Sequence, residues 1–401
     1  MNKLLGISLL LSVAATTTVS AQYTLTAGEN VLEIKGIVAS YYQYQMLKVG
    51  QTSYKKNNFY IKDAQLDLVG RHGKNIEFEL QVDFNDLAIN ATAGAGGLGG
   101  GAAADPFAPG VKAAYFIYKG LPIQIKLGYD KLPYSMGSMD DRYNNSFWSH
   151  GYLCDGNFFA RRDLGITLSK SLWNKRINMY GGVYSGLGEM VIGNADNDAS
   201  GNPEYVGRVD VSYPSKMDYT EVDQIGVPTP IFRLGANVRY MNKTQNGTST
   251  IPAGSEGTYG VRIVDGENLK YGFDANVMYK SISLQFESDF NDLRPSKATD
   301  PIFEGTSSNI NHNVVHAGGT QLQLNYFWKH ISSVFSVRYE NINYNDLIVG
   351  KEEWLTIGYA YQLNGFKNCI KFNYDHPLTE DTQQDPIKYN ARFRLGWQLT
   401  F

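Results

Sequence analysis

The chain has 401 residues, a formal net charge of −3, 43% hydrophobic and 19% charged residues, which suits a large folded domain and excludes a disordered one. That charge also excludes an electrostatic nucleic-acid partner, and two cysteines, Cys154 and Cys369, are too few for a disulfide framework and are expected to stay unpaired. With 28 Tyr, 19 Phe and 41 Gly against 13 Pro, composition favours strands and turns over helices.

Residues 1–21 come first. Lys3 begins a short basic region, 4–15 are apolar, and Val19-Ser20-Ala21 is a small-residue cleavage site. This is the pattern of an export signal peptide, too short to span a bilayer as a mature helix, and it leaves 22–401 as the folded domain. No cysteine follows the site, which argues against a lipid-anchored terminus.

Alternation then dominates. In residues 75–86, Ile76, Phe78, Leu80, Val82 and Phe84 share one face; Glu77, Glu79, Gln81, Asp83 and Asn85 share the other. A period of two means a strand with one apolar and one polar side. Residues 123–130, 165–170, 232–240, 271–279, 281–290, 321–328, 335–340 and 355–363 follow the same rule, for a total of roughly 14 to 16 strands. Residues 241–268 leave one more short strand open, around 259–264. Residues 91–104 (A-T-A-G-A-G-G-L-G-G-G-A-A-A) and 242–257 are low in complexity and predict loops.

The connections are unequal. Short turns are predicted at 71–74, 119–120, 172–174, 280–281, 329–330 and 364–365. Long polar stretches lie at 87–110, 132–157, 187–228 and 291–316, with shorter ones at 341–350 and 376–385. Short turns alternating with long loops predict an all-β, transmembrane antiparallel β-barrel of about 16 strands, with turns on the periplasmic side and loops outside. Tyr and Trp near strand ends, such as Tyr118, Tyr279, Trp328 and Trp397, fit interfacial girdles. Alternation by itself does not say which face looks inward.

Residues 392–401 read R-F-R-L-G-W-Q-L-T-F, with Phe393, Leu395, Trp397, Leu399 and Phe401 on one parity. A terminal amphipathic strand ending in Phe resembles the signal that barrel-assembly machinery takes up on outer-membrane proteins; the resemblance assigns that role to Trp397, Leu399 and Phe401.

Several further stretches carry a family likeness. F-Y-I-K-D-A-Q-L-D-L-V-G-R (59–71), N-I-E-F-E-L-Q-V-D-F (75–84), I-K-L-G-Y-D-K-L-P-Y-S (125–135) and residues 271–287 together resemble the phosphate-selective porin O and P family. The resemblance implies a 16-stranded, homotrimeric outer-membrane channel, narrowed by an inward-folded third loop and guided by Arg and Lys. Lys131, Pro133, Tyr134 and Ser135 match the entry to that loop, and Arg142 lies within it. Asp140 and Asp141 beside Arg142, with Glu77, Glu79 and Asp83 on a polar face, depart from a purely anion-guiding pattern.

A passive channel needs a lumen of set width and fixed charges, with no cofactor or metal. Lys126, Lys131, Arg142, Arg161 and Arg162 are assigned to the narrow point, and Arg338, Arg392 and Arg394 to a basic wall. An enzyme reading finds no G-x-S-x-G elbow; His330 beside Ser332 and Ser333 is the nearest pairing. His312 and His316 lack a nearby Glu, and Asp196-Asn197-Asp198 lacks the later bidentate Glu of a calcium loop. The reading is an outer-membrane porin that contacts membrane lipid and passes small ionic or polar solutes, phosphate-like anions among them. The alternative is a barrel acting as adhesin or receptor through its loops.

Overall fold

A computed structural model describes residues 23–49, 52–85, 110–154, 161–186, 188, 201–244, 266–296, 314–347, 351–379 and 391–401. The signal peptide, the Gly/Ala-rich stretch at 91–104 and the segment 259–264 lie outside the described residues.

The strands run in chain order: β1 (Tyr23–Ala27), β2 (Asn30–Val49), β3 (Thr52–His72), β4 (Ile76–Asp83), β5 (Val111–Tyr118), β6 (Gln124–Lys131), β7 (Arg162–Leu172), β8 (Ile177–Tyr184) and β9 (Glu204–Tyr213). They continue with β10 (Ile231–Lys243), β11 (Gly266–Tyr279), β12 (Ile282–Pro295), β13 (Val315–Trp328), β14 (Ser333–Asn343), β15 (Glu352–Asn364), β16 (Asn368–Pro377) and β17 (Arg392–Thr400). Each of β2 to β17 pairs antiparallel with its neighbour in sequence, and β17 returns to pair with β2, so sixteen strands close on themselves. Closure leaves no sheet edge with unpaired backbone groups, the condition for crossing hydrocarbon with strands.

β1 and β17 share one strand position. β1 pairs with the first part of β2 (Tyr23 opposite Ile34), and β17 pairs with the next part (Thr400 opposite Ile37). At the junction Gly36 N donates to Phe401 O (2.7 Å) and Phe401 N donates to Gly36 O (2.9 Å). The Phe401 ring covers Gly36 so closely that a Cβ there would sit 2.5 Å from it. Gly36→Val should therefore displace the ring, cost about 1–3 kcal/mol of unfolding free energy as such overpacking does, and lower the denaturation midpoint in detergent. An unchanged midpoint would show that the ring does not help seal the seam.

Burial settles which face looks where. On β10, Arg233 and Arg239 are 1% and 2% exposed, while Phe232 and Leu234 are 47% and 63% exposed. On β12, Ser283, Gln285, Glu287 and Asp289 are buried and Ile282 and Leu284 are not. In water, each exposed Leu or Phe would forgo roughly 1.5–3 kcal/mol of burial; facing hydrocarbon, it forgoes nothing. The apolar parity is the lipid face and the polar parity is the lumen.

Residues 187–228, expected as one long loop, need correction. They contain β9, and residues 214–230 connect β9 to β10 at the same end of the barrel as the short turns. The strand was missed because its lumen parity is charged: Glu204, Arg208 and Asp210 alternate with Tyr205, Val209 and Val211, and the mixture reads as polar. The stretches 291–316, 341–350 and 376–385 also lose residues to β12, β13, β14 and β16.

Candidate functional site: a charged cavity beside an inward-folded loop

Leaving β6, the chain turns into the lumen. Leu132 N donates to Arg161 O (2.8 Å), joining the two ends of the connection to β7. Ser135, at φ 64°, turns the backbone sharply and caps the one-turn helix Met136–Met139 by accepting from Ser138 N (3.1 Å). Leu132, Tyr134, Phe147, Trp148, Leu153 and Cys154 are all buried, and both cysteines are free thiols.

The far wall holds this loop by its backbone. Gly137 N donates to Glu287 Oε2 (2.9 Å), Leu153 N to Glu340 Oε1 (3.1 Å) and Trp148 N to Asn373 Oδ1 (2.6 Å), and Asn373 Nδ2 donates back to Ser146 O (3.0 Å). Arg338 donates to His150 O (3.2 Å) and Ser149 O (3.4 Å), pairs with Glu340 (3.2 Å) and lies 4.3 Å over the Phe147 ring. Arg394 donates to Ser149 Oγ (3.2 Å) and to Asp375 (2.8 Å), and Arg392 reaches Asp375 (3.1 Å) and the Tyr152 hydroxyl. Buried donors and acceptors on β12, β14, β16 and β17 thus find partners in a chain more than a hundred residues away.

A second segment enters from the turn end. In residues 214–230, Met217, Val222 and Val227 are buried, and Val222 packs with Val334, Ala360, Phe366 and Cys369. Asp223 organises the segment by accepting from Gly226 N (2.9 Å), Val227 N (2.9 Å) and Ser281 N (2.8 Å). Glu221 accepts from Gln323 Nε2 (2.6 Å), and its backbone O accepts from Asn325 Nδ2 (2.8 Å). Arg233 donates to Asp218 O (2.9 Å) and stacks on Tyr219. The two segments meet where Asn145 Nδ2 donates to Glu221 Oε1 (3.2 Å), and burial pushes the Glu221 carboxyl up.

Together they pack against lumen-facing side chains of β9 to β17. Among the described residues, a cavity of about 620 Å³ lies against β2 to β8, reaching the turn end at Lys367 and Thr400. Its charged lining is Lys35, Lys126, Lys131, Arg162 and Lys367 with Asp67, Glu79, Asp130 and Asp141. Several are already matched: Lys126 with Asp130 (2.6 Å), Lys131 with Asp141, and Glu79 accepting from Tyr115 (2.6 Å). The Lys131 ammonium holds the Asp141 carboxyl below the usual carboxylate range, while burial pushes that of neighbouring Asp140 well up.

The candidate residues therefore divide. Lys126, Lys131 and Arg162 line the cavity. Arg161 is buried and donates to Ser138 O (3.3 Å), behind the helix turn. Arg338, Arg392 and Arg394 hold the loop. Arg142 begins the turn Arg142–Asn144, and its side chain lies outside the described residues. Sequence reasoning missed Lys35, Asp67 and Lys367 as lining residues, and missed the segment 214–230 altogether. For Asp67 a signal was present, since it sits on the polar parity of β3 within residues 59–71.

A family model described as phosphate-selective porin O and P matches residues 34–315. Among solved structures, an anion-selective porin from Comamonas acidovorans aligns with TM-score 0.58 at 12% identity, over 93% of this chain and 100% of that one. OmpF of Salmonella typhi in complex with daunomycin gives 0.55 at 11%, over 94% and 100%. In-vitro-folded OmpT of Vibrio cholerae, in its trimer form, gives 0.50 at 8%, over 93% and 99%. At such identities the likeness is one of fold. No curated protein sequence matches this chain.

Proposed function

This chain belongs to the phosphate-selective porin O and P family of the bacterial outer membrane, and from that premise we propose that it is a passive channel for small hydrophilic solutes with a modest preference for anions. The observation that carries the reading is the charged cavity left between the inward loop and β2 to β8, open to the turn end. Its lining holds five basic and four acidic side chains, several mutually paired, so the local field is weak and selectivity follows its small positive excess. Solutes move down their gradients, and no residue here is asked to do covalent chemistry.

Lys131 is the cation best placed to set the preference, because it lies where the loop begins and faces the cavity. In planar bilayers under a salt gradient, the intact protein should show stepwise openings and a reversal potential on the anion side. Lys131→Ala releases Asp141 from its partner and should move that potential toward cations; Lys126→Ala should act likewise through Asp130. Silence from a folded barrel would favour the adhesin reading instead. Three copies per assembly, as in the trimer form of OmpT, is the corresponding proposal for oligomeric state, checked by light scattering in detergent. The outward stripe Phe393, Leu395 and Trp397, continued by Phe401, supports the assembly-signal role of Trp397, Leu399 and Phe401.

A further inference from the structure

The turn end of the barrel carries a regular charge. Each of its seven hairpin connections holds a lysine: Lys74, Lys119, Lys175, Lys216, Lys280, Lys329 and Lys367. Lys74 pairs with Glu29, Lys119 with Glu77 and Lys216 with Asp218. Lys175, Lys280, Lys329 and Lys367 are exposed and, among the described residues, stand in no ion pair. Beside three of them stands an exposed aromatic at or just past the strand end: Trp173 near Lys175, Tyr279 before Lys280, Trp328 before Lys329. The Lys280 Nζ lies 4.9 Å from the Tyr279 ring centre, so cation and aromatic share one level.

An aromatic ring sits where hydrocarbon gives way to headgroups, and a lysine just beyond it is placed at the depth of lipid phosphates. Lysines spaced one per hairpin around the circumference, three of them beside an exposed aromatic, match a leaflet and not a single soluble ligand. Each lysine adds attraction to an anionic leaflet that fades within a Debye length. We propose that this lysine collar binds anionic phospholipid of the membrane leaflet at the turn end, through phosphodiester headgroups, and so fixes the depth of the barrel.

The rim tryptophans report on it directly. Trp328 and Trp397 face outward at this end and Trp173 is exposed in the β7–β8 turn, whereas Trp148 and Trp354 are buried in the lumen. The full-length processed protein is reconstituted in phosphatidylcholine bilayers doped with brominated phosphatidylglycerol or with brominated phosphatidylcholine, and tryptophan quenching gives the relative binding of the two. The intact barrel should prefer phosphatidylglycerol several-fold at low salt and lose the preference at high salt. The variant Lys175→Gln/Lys280→Gln/Lys329→Gln removes three cations that do not line the cavity, so it should quench equally with both lipids and keep its conductance. Equal quenching in the intact protein would overturn the proposal, as would an undiminished preference in the variant. A changed reversal potential with lipid preference intact would mean that these lysines face permeating ions.

Discussion

Replacing residues 214–231 with Asn-Gly should give a folded barrel whose single-channel conductance is roughly twice that of the intact protein, because current through such a channel scales with its open, wetted section. The graft is geometrically simple. Tyr213 and Phe232 stand directly opposite each other in the β9–β10 ladder, so a two-residue turn closes the hairpin without shifting register. Apart from Ile231 opposite Met278 at the end of the β10–β11 ladder, the remaining strand pairs, including closure of β17 on β2, do not involve the replaced residues.

Conductance rises because the segment occupies lumen that the observed cavity does not reach. The cavity is lined by β2 to β8, the inward loop and the Phe366–Lys367 turn, and none of residues 214–230 borders it. Once they are gone, Gln323, Asn325, Ser283 and Arg233 lose their partners in the segment and take water. Val334, Ala360 and Cys369 lose the apolar cover of Val222. The loop also loses its Asn145–Glu221 contact, so open-channel noise should increase with the current. A folded variant with wild-type conductance would show that ions already bypass this half of the lumen, and that the inward loop alone sets resistance.

The barrel was legible in the sequence because parity is a local property. Ile282, Leu284 and Phe286 against Ser283, Gln285 and Glu287 could be assigned to two faces without knowing what either face meets. The same parity put Arg338, Arg392 and Arg394 on the lumen side, where the structure has them. Their partners were not legible. Arg338 meets the carbonyl of His150 across 188 positions of chain, and strand periodicity carries no information about which loop docks opposite. A basic residue facing a lumen looks the same in sequence whether it meets a solute or a backbone.

Residues 214–230 failed for a related reason. Pro214-Ser215-Lys216-Met217-Asp218-Tyr219 reads as a surface loop, and its inward placement rests on Asp223 accepting from Ser281 N in the β11–β12 turn and Glu221 accepting from Gln323 Nε2 on β13. Placing it at the turn end required counting β9, whose charged lumen parity hid it. Of the collar lysines, Lys74, Lys119, Lys280 and Lys329 fall in the predicted turns, Lys175 and Lys367 just beyond two of them, and Lys216 in the stretch expected as a long loop. They become a collar only when closure brings seven distant turns onto one rim.

Arg338 decides between the two roles that a lumen arginine can have, and Arg338→Ala should release the inward loop. The substitution removes donors to Ser149 O and His150 O, the stacking on Phe147, and the partner of Glu340, whose carboxylate also receives Leu153 N. Both side chains of the pair are almost wholly buried, and breaking such a pair is bounded by roughly 3–5 kcal/mol. That is more than a hundredfold in the loop's docking equilibrium, while the strand ladders stay intact. The expected result is rapid flicker and a new protease-sensitive site within residues 143–154, at unchanged barrel stability. Arg338→Lys separates position from charge. A lysine keeps the cation but cannot serve two carbonyls and a carboxylate from one planar fork. If Arg338 is an anchor, Arg338→Lys should flicker nearly as much as Arg338→Ala while its reversal potential stays wild type. If Arg338 guides anions, lysine should restore quiet openings and alanine should move the reversal potential alone; that pair of results would return Arg338 to the pore wall.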